Sequence, residues 1–157
     1  MTGESGPGAL IFTDGACIGG GRSRPGGFAA LILTDGHEQV ILGRSLATTN
    51  TAMELMGAIR ALEALPPAIP AVVHSDSQYV IKGATVQLPW WRSRGWRIVK
   101  GGKLANRDLW QRLSLLLGER PVTWHWIKGH SGHPRNEQVH ALAHREARSA
   151  AAKIAHP

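Results

Sequence analysis

Hydrophobic and polar positions along the chain follow two periods, one typical of strands and one typical of helices. Residues 9–16 alternate, with Leu10, Phe12 and Asp14 on one face, and predict a first strand. Strands at 28–34 and 39–46 follow, joined by the hairpin turn Asp35-Gly36. The other predicted elements are two strands (71–76 and 122–127) and five helices (51–65, 77–83, 89–96, 106–117 and 134–152). Three strands, followed by helices that alternate with two more strands, predict a mixed α/β sheet with helices on its faces.

Length and composition indicate a single soluble domain, spanning 1–157 with an ordered core from about 9 to 150. The chain is 43% hydrophobic and 18% charged, which excludes wholesale disorder. No stretch approaches the roughly 18 apolar residues of a membrane span, so we expect no membrane partner. The single cysteine, Cys17, excludes an internal disulfide and fits a reducing compartment. Because the first residues, MTGESGPG, also lack a secretory pattern, we expect a cytoplasmic protein, and a monomer.

The positive charge is concentrated in one segment of the chain. The formal net charge is +7, from 18 Lys and Arg against 11 Asp and Glu. Residues 82–112 hold eight of the basic residues and one acidic residue, Asp108, and so carry the whole excess. Trp90, Trp91 and Trp96 are interleaved with these cations. Clustered cations beside aromatic rings favour a nucleic acid as partner. The alternative is a solvated basic face whose tryptophans belong to the core.

Three carboxylates are candidates for chemistry, each with a structural alternative. Asp14 lies on an apolar strand face, where a metal ion would compensate a buried charge, or else it begins a turn. Asp76 ends the fourth strand, where sites gather in α/β sheets, or else it caps the helix that begins at Ser77. Glu54 faces the protein from the first long helix, but Thr51 and Glu54 also match a capping box.

Histidines are concentrated near the end of the chain. His133, Glu137, His140 and His144 fall on one face of the last predicted helix. His140 and His144 have the spacing to hold a transition metal through imidazole nitrogens, and the alternative is a partly exposed polar stripe. His130 lies in a glycine-containing loop, either as a mobile proton carrier or as a solvated side chain.

Six sequence strings occur in an order and spacing that resemble one known family. They are IFTDGAC, TTNTAMELMGAI, SDSQYVIKG, RGW, DLWQRL and WIKGHSGHPRNE. Over residues 11–147 the chain resembles a type 1 ribonuclease H. The resemblance implies a ribonuclease H-like fold, with a mixed five-stranded sheet in the order 3-2-1-4-5 and helices on both faces. It also implies an endonuclease that hydrolyses the RNA strand of an RNA/DNA hybrid and leaves 5′-phosphate and 3′-hydroxyl ends.

The resemblance assigns catalytic roles to particular residues. Asp14, Glu54 and Asp76 match three acidic ligands of two divalent metal ions, normally Mg2+. His130 matches a loop histidine that helps water enter or product leave. The chemistry suits these residues, because phosphodiester hydrolysis needs a positioned water and neutralised charge on the attacking and leaving oxygens.

A second group of matched positions contacts the substrate. Thr49 and Asn106 match residues that grip a phosphate of the DNA strand, and Asn50 and Gln78 match residues that touch the hybrid in its minor groove. A basic protrusion, about 89–105, matches a segment that extends substrate contact. The complete set of expected substrate contacts is Cys17, Gly19, Thr49, Asn50, Gln78, Trp91, Trp96 and Asn106.

The sequence departs from the family pattern at three places. His140 stands where the family has a fourth acidic ligand, which leaves the site at −3 and favours Mn2+ or Zn2+ relative to Mg2+. We expect His140 to keep a metal-site or water-positioning role, as a fifth catalytic residue, with better relative activity in Mn2+. The loop after Cys17, IGGGRSRPGG, is two residues longer than usual and lacks an expected Asn. Thr51 replaces the second Asn of a usual pair, which weakens one base contact.

The residues leave two other functions open. One is another nuclease or integrase on the same fold, since a fold alone does not fix function, although the strings SDSQYV and KGHSGHP argue against it. The other is a hybrid-binding module that has lost catalysis through the change at His140. The three carboxylates and His130 argue against this second alternative.

Overall fold

The computed structural model describes residues 8–97 and 102–155. Its strands are β1 (Ala9–Cys17), β2 (Arg24–Thr34), β3 (His37–Thr48), β4 (Ala71–Ser75) and β5 (Val122–Trp126). Its helices are α1 (Asn50–Ala64), α2 (Gln78–Lys82), α3 (Leu88–Ser93), α4 (Arg107–Leu117) and α5 (Pro134–Ala155). The elements follow the predicted order. Part of the expected basic protrusion, 98–101, and the chain ends 1–7 and 156–157 lie outside the described residues.

The five strands form one sheet in the order β3-β2-β1-β4-β5, which confirms the expected fold class. The central strand β1 pairs antiparallel with β2 and parallel with β4, and β5 is parallel to β4. The β2–β3 hairpin turns at Asp35 and Gly36, which both have positive φ (41° and 81°), as its two-residue turn requires. Because β1, β4 and β5 are parallel, their carboxyl ends meet at one edge of the sheet, where sites form in α/β folds.

Two apolar cores cover the two faces of the sheet. The larger core joins the sheet to α1 and α4, and its fully buried members include Ile11, Leu62, Val73 and Trp110. The smaller core lies under α5 and contains Phe12, Ala29, Leu31, Val139, Ala143 and Ala147. Alternate residues of β1 therefore enter opposite cores, as the period of a strand requires. Asp14 shares the face of Phe12 and so lies on the α5 side.

Two glycines let helices approach the sheet at backbone distance. A Cβ on Gly15 of β1 would overlap the backbone of Met53 and Glu54 in α1. A Cβ on Gly27 of β2 would lie 2.6 Å from the backbone nitrogen of Ala147 in α5. A side chain at either position would push its helix away from the sheet. The contact at Gly15 has a functional consequence, because it holds Glu54 beside the end of β1.

The helical segment after β4 differs from its prediction. Two separate helices were expected, but α2 continues through a π-helical turn, Gly83–Gln87, directly into α3. Pro89 has no amide hydrogen for an α-helical bond to the carbonyl of residue 85, and the wider turn precedes it. At the other end of the chain, α5 extends to Ala155, past the predicted end at 152. Within the described ranges, no helix has both the length and the apolar composition that a membrane crossing requires.

Truncation of a buried leucine tests the larger core. Leu62 has no exposed surface, so Leu62→Ala leaves a cavity, and we expect the free energy of unfolding to fall by about 2–5 kcal/mol. Leu115→Ala is the matched control, because Leu115 is 76% exposed on α4 and its loss changes stability by no more than about 0.5 kcal/mol. Urea unfolding followed by circular dichroism measures both. Equal losses in the two variants would contradict the burial of Leu62.

Candidate active site

Asp14 belongs to the central strand of the sheet and is 5% exposed. Its backbone pairs with Ala29 of β2 and the strand continues to Cys17, so the turn interpretation of Asp14 is wrong. The amide of Gly15 donates a hydrogen bond of 2.9 Å to Asp14 Oδ1. The second oxygen, Oδ2, lies 2.9 Å from Nδ1 of His140. Both oxygens of this carboxylate are therefore held in place.

Glu54 extends toward the carboxylate of Asp14 from the second turn of α1. Thr49 is the N-cap of this helix, and its Oγ1 accepts an amide hydrogen bond of 3.2 Å from the first turn. Because Thr49 rather than Thr51 caps the helix, the capping-box interpretation of Glu54 is wrong. Glu54 Oε1 instead accepts a hydrogen bond of 2.9 Å from Ser77 Oγ. This bond joins α1 to the start of α2.

Asp76 follows β4 directly, in the turn that leads into α2. Ser77 is the N-cap of α2, because its Oγ accepts a hydrogen bond of 3.2 Å from the amide of Val80. The capping interpretation of Asp76 is therefore wrong, and its carboxylate lines the cavity described below. The backbone oxygen of Asp76 accepts a hydrogen bond of 3.1 Å from Nε1 of Trp126. Gly129 is also near, since a Cβ there would lie 3.2 Å from Asp76 Oδ2.

The three carboxylates and His140 line one open cavity of about 350 Å3. Asp14, Asp76 and His140 each offer one ligand atom, and these three atoms lie within 4.8 Å of one another. Carboxylate oxygens suit Mg2+ and Mn2+, and imidazole nitrogen suits transition metals, so this set of donors fits a divalent cation. The complete lining is Asp14, Gly15, Ala16, Cys17, Asn50, Glu54, Asp76, His140 and His144.

Burial and mutual repulsion raise the pKa of two carboxyl groups in this cavity. The pKa of Asp14 rises from 3.8 to about 6, chiefly because burial disfavours the anion and then because Asp76 is close. The pKa of Glu54 rises from 4.5 to about 7, again chiefly through burial, against the opposing hydrogen bond from Ser77. The hydrogen bonds that the protein supplies therefore only partly offset the burial and repulsion of these carboxylates.

His140 reaches Asp14 from α5. An ionised carboxylate only accepts hydrogen bonds, so Nδ1 of His140 donates in its contact with the Asp14 anion. The ring centroid of His140 lies 4.3 Å from that of His144 and 5.1 Å from that of His130. His133 does not join this group: it precedes α5, and its ring lies against the smaller core. The expected four-residue stripe is therefore only partly correct.

Thr49 and Asn106, which are expected to grip a DNA phosphate, meet where α1 and α4 begin. Asn106 takes a left-handed backbone conformation (φ 59°) directly before α4. Its Nδ2 donates hydrogen bonds of 3.0 Å to Thr51 Oγ1 and to the hydroxyl of Tyr79. Thr49 Oγ1 lies 3.4 Å from Thr51 Oγ1. The two matched residues are therefore joined through Thr51.

The other expected substrate contacts near the cavity are accessible to different degrees. Asn50 and Gln78 are exposed at the first positions of α1 and α2. Cys17 is half-buried at the edge of the cavity, and Gly19 is exposed in the turn that follows β1. All four lie at the carboxyl edge of the sheet or in the segments that leave it.

The tryptophans of the protrusion divide between core and surface. Trp91, which is expected to contact the substrate, is only 9% exposed, and its ring lies 5.3 Å from that of Trp110 in the larger core. Trp96 is half-buried beside it, with ring centroids 6.4 Å apart. Trp90 is 45% exposed, and the guanidinium of Arg94 lies 4.2 Å from the centre of its ring. The exposed indole of this segment is therefore that of Trp90.

Three residues that orient the site were not identified from the sequence. Ser77 holds Glu54, Tyr79 holds Asn106, and Trp126 holds the backbone of Asp76. Ser77 carried one signal, its place directly before a helix, which indicates a cap but not a partner in α1. The aromatic residues are typical of core positions, and their hydrogen bonds follow only from the tertiary arrangement.

The raised pKa values predict how the stability of the metal-free protein depends on pH. An acid whose pKa is raised by folding binds more protons in the folded state, so its contribution to stability is lost as pH rises from about 4 to about 7. We expect Asp14→Asn to raise the melting temperature at pH 8 and to match the unchanged protein at pH 4. Thermal unfolding in a chelator measures this.

The matched control for this prediction is Asp108→Asn, on the exposed surface of α4. We expect no gain in melting temperature from it at pH 8. A melting temperature of the Asp14→Asn variant equal to or below that of the unchanged protein at pH 8 would contradict the burial of a repelled carboxylate.

Comparison with known proteins identifies the family. The sequence model of the family RNase H matches residues 7–148. A ribonuclease H of Halorhodospira halophila is 48% identical over 132 residues, which cover 84% of this chain and 87% of that relative. A ribonuclease H of Caulobacter sp. (strain K31) is 46% identical over 137 residues, covering 87% and 88%. The crystal structure of LC9-RNase H1, described as a type 1 RNase H with the type 2 active-site motif, is 29% identical with a TM-score of 0.81, covering 94% of this chain and 75% of that one. The protein therefore belongs to the ribonuclease H family.

Proposed function

We propose that this protein is an endonuclease that hydrolyses the RNA strand of RNA/DNA hybrids. The observation that carries the proposal is the convergence of Asp14, Glu54 and Asp76 in one open cavity of a chain that belongs to the ribonuclease H family. In the proposed reaction a water oxygen attacks phosphorus and the bond to the 3′ oxygen breaks. The products are a 5′-phosphate and a 3′-hydroxyl.

Two divalent cations are the proposed cofactors, either Mg2+ or, because of His140, preferably Mn2+. Asp14, Glu54, Asp76 and His140 would hold them, and the raised pKa values of Asp14 and Glu54 support this, because a cation offsets the repulsion that raises them. When bound, such ions activate water and neutralise charge on the leaving oxygen. The substrate brings further negative charge, which the excess of +7 on the chain complements.

The chain's own residues orient the reactive groups. The amide of Gly15 and Nδ1 of His140 fix the two oxygens of Asp14, and the hydroxyl of Ser77 fixes one oxygen of Glu54. These bonds reduce the reorganisation that the carboxylates need during reaction. His130 is exposed on a loop, with its ring 5.1 Å from that of His140, and we assign it the transfer of a proton between the cavity and solvent.

Selection of the RNA strand is assigned to residues at the edge of the cavity. Asn50 and Gln78 are exposed there, and we propose that they contact 2′-hydroxyl and base edges across the wide minor groove of the hybrid. Thr49 and Asn106 would grip a phosphate of the DNA strand. Trp90, with its neighbouring cations, would extend this contact along the duplex. The form we propose is a cytoplasmic monomer.

Cleavage of an end-labelled hybrid tests the proposed activity. We expect cuts only in the RNA strand, with RNA/RNA and DNA/DNA duplexes left intact, in buffers with Mg2+ or Mn2+. Asp14→Asn removes one charged ligand, and we expect the rate to fall roughly 100-fold or more. Glu119→Gln is the control, since Glu119 is exposed just after α4. We expect this variant to keep full activity. Cleavage of DNA/DNA at a similar rate would contradict the proposal.

The metal preference tests the role of His140. Imidazole binds Mg2+ poorly, so we expect the unchanged protein to be more active in Mn2+ than in Mg2+. His140→Asp supplies a fourth carboxylate, and we expect it to raise the Mg2+ rate relative to the Mn2+ rate. His140→Ala loses the contact with Asp14, and we expect activity to fall roughly tenfold or more in both metals.

Two outcomes of these assays would change the assignment. Unchanged activity and metal dependence in His140→Ala would remove His140 from the site. Tight binding of the hybrid without cleavage in either metal would instead make the protein a hybrid-binding module, and His140→Asp would then be expected to restore cleavage.

A further inference from the structure

Trp126 is a large apolar side chain that remains accessible beside the catalytic carboxylates. It is the last residue of β5 and is 48% exposed. Its indole N–H donates a hydrogen bond of 3.1 Å to the backbone oxygen of Asp76, so the ring is held at its polar end. A tryptophan fixed in this way and exposed on its other side presents a rigid surface for a ligand.

The ring of Trp126 forms one wall of a second cavity, of about 240 Å3, between β5 and α2. We call it the Trp126 cavity. The rest of the lining comes from Gln78, Ile81 and Lys82, which share one face of α2 because they are three and four residues apart. Ile81 adds apolar surface, and the exposed Lys82 adds a positive charge. The cavity therefore combines a flat aromatic wall with a cation.

This cavity lies close to Asp76 of the candidate active site. Gln78, one of its walls, lies two residues after Asp76, whose backbone carries the Trp126 hydrogen bond. The neighbouring side chain of α2, Tyr79, points elsewhere, because its hydroxyl accepts the hydrogen bond from Asn106. The Trp126 cavity and the residues assigned to the DNA strand thus lie on different sides of α2.

We propose that the Trp126 cavity is a subsite for one nucleotide of the RNA strand, next to the cleaved phosphodiester. The ring of Trp126 stacks on the base or sugar of that nucleotide, and Lys82 contacts an adjacent phosphate. Aromatic rings bind every base through its π face, so the subsite adds affinity without sequence preference. The inference rests on the proposed cleavage of hybrids and adds a further contact to it.

Two substitutions of Trp126 separate stacking from the hydrogen bond to Asp76. Trp126→Phe keeps an aromatic wall and loses the N–H, whereas Trp126→Leu loses both. We expect KM for a hybrid to stay within about twofold in the Phe variant and to rise roughly 5- to 10-fold in the Leu variant. Leu115→Ser, on the exposed face of α4, is the control and keeps the KM of the unchanged protein.

Lys82→Gln tests the charge of the subsite. Loss of one phosphate contact is expected to raise KM and to lower the slope of its logarithm against the logarithm of salt concentration by about one. An unchanged slope would remove Lys82 from the substrate contact. Melting temperatures of all variants confirm that they fold.

Photocrosslinking identifies the strand. The Asp14→Asn variant is mixed with hybrids that carry 4-thiouridine at successive RNA positions or 4-thiothymidine at successive DNA positions, and the crosslinked peptide is located by mass spectrometry. We expect crosslinks to Trp126 only from the RNA strand, within two nucleotides of the cleaved bond. Crosslinks from the DNA strand alone would overturn the proposal.

The kinetic outcomes distinguish this inference from the proposed function. If the unchanged protein cleaves no hybrid, the proposed function fails. If it cleaves normally and both Trp126 variants keep its KM, the subsite fails and the function stands. Equal losses of kcat at constant KM in both variants would also overturn the subsite, because they would assign Trp126 to holding Asp76.

Discussion

The constraint on which the structure depends is the collection of three carboxylates at one edge of the sheet. Asp14 comes from β1, Glu54 from α1 and Asp76 from the turn after β4. Their desolvation and repulsion raise the pKa of Asp14 to about 6 and that of Glu54 to about 7, so the fold holds them together at a cost. The apolar cores on both faces of the sheet supply the stability that offsets this cost.

His140 reduces the electrostatic repulsion among the carboxylates in the metal-free protein. As a hydrogen-bond donor to Asp14 it stabilises an anion that a fourth carboxylate would repel. A histidine in place of a fourth carboxylate also makes the set of proposed ligands less negative, and it provides a nitrogen donor in place of an oxygen. His130 and His144 lie beside it, so His140 stands between a group of imidazoles and the carboxylate of Asp14. The metal preference that we propose therefore depends on one residue of α5.

Rigid contacts surround the carboxylates, and the substrate surfaces lie outside them. Ser77 holds Glu54, and Trp126 holds the backbone of Asp76, so each of these two acidic residues is connected to a different part of the chain. Beyond this frame, the exposed indoles of Trp90 and Trp126 lie on surfaces that also carry cations, whereas Trp91 and Trp110 complete the core. In the proposed function, this division allows the hybrid to bind to flat, charged surfaces without disturbing the geometry of the carboxylates.

The sequence by itself predicted the order of strands and helices along the chain and named the carboxylates that line the cavity, and its resemblance to a family implied the strand order of the sheet. The alternation in β1 and the glycine that follows Asp14 are local features of the sequence. The roles expected of the site residues came from long motifs that resemble those of a known family. Only the tertiary structure decided that Thr49 rather than Thr51 caps α1, that Trp91 is buried and Trp90 exposed, and that Trp126 holds Asp76. Local patterns specify periodicity and turn chemistry, but burial and hydrogen-bond partners depend on residues that are distant in sequence and meet only when the helices pack on the sheet.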